Sequence, residues 1–231
     1  MKMIGMIGGM SWESSLEYYR VINEAVKECL GSLHSARSLM VSVDFAEIEA
    51  LQREGRWEQA THAMIDAARS VEAGGADFLI ICTNTMHKMA EAVQRSIGIP
   101  LLHIADATAE VIKARGIQRV GLLGTRFTME EDFYRGRLEG NYALQVLIPE
   151  PADRESVHRI IYNELVLGRI EPASKEEYLR IIARLAQAGA EGVVLGCTEI
   201  GLLVTQADCP LPLFDTTRIH ALQSVKYALQ A

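Results

Sequence analysis

The sequence predicts an α/β protein of two flavodoxin-like three-layer domains, each built on a parallel sheet and related to the other by an internal pseudo-twofold repeat. Three observations carry this expectation. Short apolar runs bounded by glycine alternate with amphipathic stretches of helical length along the whole chain, the pattern that builds parallel sheets covered on both faces. The pattern then restarts near residue 119, where Ile4 and Val120, Gly5 and Gly121, Gly8 and Gly124, and Tyr18 and Tyr134 all lie 116 positions apart. Finally, GAD at 75–77 and GAE at 189–191 lie 114 positions apart, so the repeat holds with small insertions or deletions.

Taken in order, MIGMIG (3–8) is a short strand stopped by glycine. The helix that follows places Leu16, Tyr19, Val21, Ile22 and Val26 on roughly one face, with Ser11 or Ser14 as its cap and Gly31 as its stop. A second strand opens 38–52, an alanine-rich helix fills 55–75, and DFLIICTN is a buried strand followed by a helix over about 86–96. IPLLHIAD (99–106) reads as one more apolar strand. The second half repeats the scheme: strand 119–125, helix 129–138, strand 143–148, helices 153–167 and 174–189, then GVVLGCTE and PLPLFDTT. The last segment, TTRIHALQSVKYALQA, is an amphipathic helix expected to pack back on the first half. The expected domains are therefore 1–103 with 213–231, and 104–212. In open sheets of this type ligands bind outside the carboxyl ends of the strands, so two such edges facing one another would place the active site in a cleft between the halves.

Composition narrows the partners. With 231 residues, 49% of them hydrophobic and 23% charged, the chain has the material for two ordinary cores. A net charge of -7 without a Lys/Arg cluster argues against nucleic acid. The glycine-broken start MKMIGMIGGM lacks a signal-peptide core, and no apolar run is long enough for a membrane span. The expectation is a cytoplasmic protein that binds a small molecule. GMIGGM does not have GxGxxG spacing, and a GxxxxGK[ST] loop is absent, so a nucleotide is not indicated.

The four cysteines, Cys29, Cys82, Cys197 and Cys209, form neither a CxxC pair nor a zinc pattern, and the histidines show no ligand spacing. No metal or other cofactor is expected. Two similar segments, IICTNTMH (80–87) and VVLGCTEI (193–200), pose a choice. Aligning AGG with AGA sets Cys82 opposite Cys197, whereas aligning GAD with GAE sets Thr83 there. Neighbouring strand residues face opposite sides, so Cys82 and Thr83 cannot address a ligand in the same way. The offset alone leaves both registers open.

IGMIGGMSWESS, SVDFAEIEALQREGRW, GADFLIICTNTMH, PLLHIADAT, VGLLGT, GAEGVVLGCTEI and FDTTRIHA together resemble the aspartate/glutamate racemase family of cofactor-independent amino-acid racemases. The resemblance covers nearly the whole chain. The family's first signature is an acidic residue, five residues, then Cys-Asn-Thr; counted from Asp77, the cysteine place is held by Thr83, followed by Asn84 and Thr85. Counted from Glu191, the second place is Cys197, followed by Thr198 and Glu199. The resemblance thus implies that Thr83 and Cys197 are the catalytic pair and that Cys82 is a buried small hydrophobe. It implies a homodimer as well.

Racemisation without a cofactor removes a weakly acidic α-proton from one face and returns a proton to the other. A thiol suits the first task if nearby amides lower its pKa below about 8.5; a threonine hydroxyl can only donate or relay. The resemblance assigns L-substrates to the second cysteine position, so Cys197 is expected to deprotonate L-aspartate or L-glutamate, Thr83 to reprotonate, and D-substrates to react poorly. Asn84, Thr85 and Thr198 are candidate donors to the substrate carboxylate, with Met10, Gln52 and Thr125 as further substrate contacts. Glu199 is a candidate for the ammonium group or for tuning the thiol. Arg53 fits a contact to the substrate's side-chain carboxylate as well as it fits a solvated helix end, Thr128 is a candidate for carboxylate oxygens with helix capping as the alternative, and His87 fits a structural or capping role better than a catalytic one. Alternatives of other classes are a single-cysteine decarboxylase, a maleate-type isomerase, and a non-catalytic amino-acid-binding protein.

Overall fold

The computed structural model describes residues 1–230; Ala231, expected in the final helix and in the first domain, lies outside them. The chain divides into two units, Met1–Ile104 with the chain from His220 onward, and Ala105–Ile219.

In the first unit, β1 (Ile4–Gly8), α1 (Trp12–Leu30), β2 (Ser38–Ser42), α2 (Phe45–Arg53), α3 (Trp57–Ala73), β3 (Phe78–Ile81), a 3-10 turn (Thr85–Met89), α4 (Ala90–Ser96) and the start of α5 (Ile104–Ala114) follow one another. The sheet is parallel, in the order β2-β1-β3, with Ile4 beside both Ser38 and Phe78. Alternation along the strands separates two cores. Ile4, Met6, Phe78, Ile80 and Cys82 pack with Tyr18, Val21 and Ile22 of α1. Ile7, Leu79 and Ile81 pack on the other face with Met64, Ala68 and Val71 of α3 and Val93 of α4.

Two expectations are corrected here. Residues 99–106 do not form a full strand: Leu101 makes one bridge to Leu79, Pro100 has no N–H to give a ladder, and the helix-forming run from Ile104 takes the remainder into α5. In α1 the buried face is centred on Tyr18, with Ser14, Val21, Ile22, Ala25 and Val26. Leu16 and Tyr19, expected on that face, are 57% and 51% exposed; at 3.6 residues per turn they lie well round the helix from Tyr18. Ser11 is the N-cap, its hydroxyl accepting from the Ser14 N–H at 3.3 Å.

The second unit runs β4 (Arg119–Gly124), α6 (Arg126–Glu130), α7 (Asp132–Tyr142), β5 (Gln145–Leu147), α8 (Pro151–Asn163), α9 (Pro172–Gln187), β6 (Gly192–Gly196), α10 (Ile200–Leu203), β7 (Leu213–Asp215) and the start of α11 (Thr216–Leu229). Its sheet is also parallel, in the order β5-β4-β6-β7. Residues 213–219, expected with the first domain, belong here because β7 pairs with β6, Leu213 beside Val193. From His220 the chain is part of the first unit, and Ala221, Val225 and Ala228 of α11 join its α1-side core. Among the described residues no helix is long and apolar enough to cross a membrane.

The repeat is physical as well as sequential. Ahead of β3, Asp77 accepts from the Met3 N–H at 2.5 Å, while its own N–H donates to the Met3 carbonyl at 2.9 Å. Ahead of β6, Glu191 accepts from the Arg119 N–H at 3.0 Å and donates its N–H to the Arg119 carbonyl at 2.9 Å. The two acidic residues therefore clasp the entry of each central strand and hold its register.

The equivalent glycines Gly5 and Gly121 sit where a helix crosses the central strand. A Cβ on Gly5 would press on Val71 and stand 2.8 Å from the Phe78 carbonyl oxygen; one on Gly121 would stand 2.8 Å from Leu185 Cδ1. Gly5→Ala is expected to cost about 1–3 kcal/mol through overpacking. Urea denaturation should show a lower midpoint with an unchanged slope, and an unchanged midpoint would contradict this packing.

Candidate active site

In each sheet the chain leaves the central strand for a neighbour on one side and returns to a neighbour on the other, so a topological switch point lies between β1 and β3 and another between β4 and β6. Ligand sites in open α/β sheets form at such points, beyond the carboxyl ends of the strands. The residues there are Gly9 and Met10 after β1, Thr83, Asn84 and Thr85 after β3, Thr125 after β4, and Cys197, Thr198 and Glu199 after β6.

Strand pairing, taken with the 116-residue repeat, brings Thr83 rather than Cys82 level with Cys197. Ile4 corresponds to Val120, since Gly5, Gly8 and Tyr18 correspond to Gly121, Gly124 and Tyr134 at the same spacing. Ile4 lies beside Phe78, and Val120 lies beside Gly192. Phe78 and Gly192 are 114 positions apart, and the same spacing carries Thr83 onto Cys197 and Cys82 onto Gly196. Side-chain direction agrees. Cys82 follows Phe78 and Ile80 into the α1-side core, where it is fully buried, and burial alone drives its thiol far above the ordinary range. Its backbone is held too, the N–H donating to the Ile7 carbonyl at 2.9 Å and the carbonyl accepting from Ser14 Oγ at 3.0 Å. Thr83 and Cys197 each retain 9% exposure.

The setting of Cys197 departs from the expectation of a lowered pKa. Its Sγ–H donates to Glu199 Oε2 at 3.0 Å, and the same oxygen accepts from Thr198 Oγ1 at 2.7 Å. Burial, then the Glu199 charge, then the hydrogen bond to it push the thiol well above its ordinary value; the Thr198 and Glu199 amides pull the other way and are outweighed. Cys197 is consequently held as a thiol, hydrogen-bonded to the Glu199 side chain. Tyr178 lies in the same environment: its hydroxyl donates to the Val157 carbonyl at 3.3 Å, and burial first, with the Glu164 and Glu199 carboxylates nearby, pushes its hydroxyl well above the usual range. No spacing signal links Tyr178, on α9, to Cys197, at the end of β6.

The remaining candidates fall into the two units. In the first, Gln52 is buried at the end of α2, its Nε2 3.1 Å from Met86 Sδ, and Met10 packs in the α3-side core with Met86 and Ile48. Asn84 and Thr85 are buried directly behind Thr83. Arg53 points to solvent and pairs with Glu49 at 3.1 Å on its own helix. In the second unit Thr125 is the N-cap of α6, its Oγ1 accepting from the Thr128 N–H at 3.3 Å. Thr128 is fully buried, its Oγ1 3.2 Å from that of Thr125, so capping falls to Thr125.

Residues 7–223 match the Asp/Glu/Hydantoin racemase family. The chain is 53% identical to a candidate Asp/Glu racemase from Yersinia pestis, each chain covered in full, with a TM-score of 0.93. It is 36% identical to an aspartate racemase homologue from Pyrococcus horikoshii, again over the whole of both chains, with a TM-score of 0.86. It is also 23% identical to the broad specificity amino-acid racemase RacX of Bacillus subtilis, over 73% of this chain and 72% of that one.

Removing the Glu199 charge removes one cause of the raised thiol pKa. Glu199→Gln is therefore expected to speed iodoacetamide alkylation of Cys197 at pH 7–8 several-fold, as peptide mapping would read, with Cys82 unreactive in both proteins. Slower or unchanged labelling of Cys197 would contradict this account of its electrostatics.

Proposed function

Because this chain belongs to the Asp/Glu/hydantoin racemase family, we propose that it interconverts the enantiomers of an acidic amino acid, L-aspartate or L-glutamate, by an unequal pair of groups. The observation that supports this reading is the strand register, which agrees with a Thr83 hydroxyl in the role that Cys197 has in the other unit.

In the forward direction the Cys197 proton passes to Glu199 Oε2, its present acceptor. The sulfur so freed takes the α-proton from the L-substrate, and the C–H electrons move into the substrate carboxylate. Hydrogen-bond donors aimed at that carboxylate stabilise it as charge develops, a task that falls to Asn84, Thr85 and Thr198. The Thr83 hydroxyl delivers a proton to the opposite face of the α-carbon and recovers one from solvent. Glu199 returns its proton to solvent when the thiol, now carrying the α-hydrogen, exchanges it. Met10, Gln52 and Thr125 complete the surround of the substrate.

The inequality follows from acidity. A thiol, even one whose pKa burial has raised, is a far stronger acid than an alcohol, which stays protonated throughout the neutral range. Thr83 is chiefly a donor and relay, so abstraction from a D-substrate has only the scarcely populated Thr83 alkoxide as its base and is slow. The same reading carries a homodimer in the cytoplasm that uses neither metal nor organic cofactor.

Chiral chromatography of product formed from each enantiomer tests the assignment. Cys197→Ser should lower turnover of the L-substrate by at least about 10²-fold, the lower range for a positioned acid–base group. Thr83→Cys should raise turnover of the D-substrate at least tenfold, because it supplies the missing base. An unchanged D-rate in a folded Thr83→Cys protein would contradict the proposed inequality.

A further inference from the structure

His87 lies four residues after Thr83, on the 3-10 turn Thr85–Met89, and is 2% exposed. Its Nδ1 is 2.8 Å from the Thr83 carbonyl oxygen, and its Nε2 is 3.2 Å from the Ile104 N–H. A carbonyl only accepts and an amide N–H only donates, so these partners assign a neutral imidazole with its proton on Nδ1. Ile104 is the first residue of α5 and the last of the first unit. One side chain thus joins the backbone of Thr83 to the point where the chain leaves that unit.

The other half does this differently. At the 114 spacing His87 corresponds to Gly201, which has no side chain to reach a helix start. The bridge of Leu79 with Leu101 matches the pairing of Val193 with Leu213, so His103 corresponds to Asp215 and the start of α5 to the start of α11. Asp215 caps α11 from within its own segment, Oδ1 accepting from the Arg218 N–H at 3.1 Å. Where the second half caps this helix locally, the first half brings the acceptor across from the loop that carries Thr83.

The imidazole is further confined by aromatic neighbours. The His103 ring stands edge-on at 4.5 Å between centroids and the His220 ring at 5.8 Å. His220 is itself fixed, Nδ1 2.9 Å from Tyr18 Oη and Nε2 2.9 Å from the Leu102 carbonyl oxygen.

We infer that His87 is a positioning residue for Thr83, aiming its hydroxyl by tying its carbonyl to the start of α5. Fixing the carbonyl fixes the direction of the Thr83 Cα–Cβ bond, and a displacement of about 1 Å in such a group lowers catalysis on the order of 10²-fold. The effect is specific to one half-reaction: reprotonation by Thr83 depends on the bridge, whereas deprotonation by Cys197 does not. This inference rests on the racemase reading.

The test compares two outcomes of one incubation of the L-substrate in deuterated water. In the native enzyme the substrate gains deuterium at the α-carbon, partly in recovered L and partly in inverted D product. In His87→Ala the inverted fraction should fall at least tenfold more than deuterium in recovered L, and His87→Gln, whose amide both donates and accepts, should regain part of the loss. Equal loss of both would make His87 a merely structural residue and overturn the inference. Nitrogen NMR of the native protein gives an independent reading: the His87 signals should show a protonated Nδ1 and a bare Nε2, and the opposite tautomer overturns the bridge. A native enzyme that exchanges no α-hydrogen overturns the racemase reading instead, and the imidazole signals still decide the bridge.

Discussion

The pairing of the central strand with its inner neighbour, Ile4 beside Phe78 in one sheet and Val120 beside Gly192 in the other, governs everything built at the switch points. Alternation along a strand assigns each residue a side, so this register sends Cys82 into the core and ends the strand with Thr83. A slip of one position would exchange the two and present a sulfur instead of a hydroxyl. The register is held from the far end of the strands, where Asp77 and Glu191 clasp the entry of β1 and β4. Residues that look like part of a catalytic signature are, in their own contacts, the devices that hold the strand register.

Chemistry at the second switch point rests on a balance of opposing electrostatic effects. Backbone amides of Thr198 and Glu199 favour a thiolate, yet burial and the Glu199 carboxylate outweigh them and leave Cys197 protonated. The carboxylate that raises the thiol pKa is also the acceptor that can relieve it, because Glu199 Oε2 already takes hydrogen bonds from both Cys197 and Thr198. A resting thiol of this kind is protected from adventitious reaction, and in the proposed mechanism it acts as a base only when its proton has somewhere to go.

Much of this was legible in the residues. Alternation of apolar runs with helical stretches gave the architecture, and the matched pairs from Ile4 and Val120 to Tyr18 and Tyr134 disclosed the duplication. The register of the repeat was not legible, since offsets of 114 and 115 differ by one residue and only hydrogen-bonded partners distinguish them. Periodicity misplaced Leu16 and Tyr19 because apolar character alone does not say where the centre of a helix face lies; small buried serines at 14 and 15 share that face with Tyr18. The segment 99–106 carried strand-like residues, but Pro100 and the helix beginning at Ile104 left it a single bridge. Glu199 stands beside Cys197 in the sequence as a candidate tuner, but the upward sign of its effect and the reach of His87 to Ile104 depend on burial and side-chain direction, which spacing does not encode.

The proposed division of labour between a sulfur that removes a proton and a hydroxyl that supplies one is tested most directly by following α-hydrogen exchange in deuterated water from each pure enantiomer separately, under conditions of initial rate. The account predicts rapid deuterium incorporation starting from L-aspartate or L-glutamate and little or none starting from the D-enantiomer. Equal initial exchange from both would contradict it.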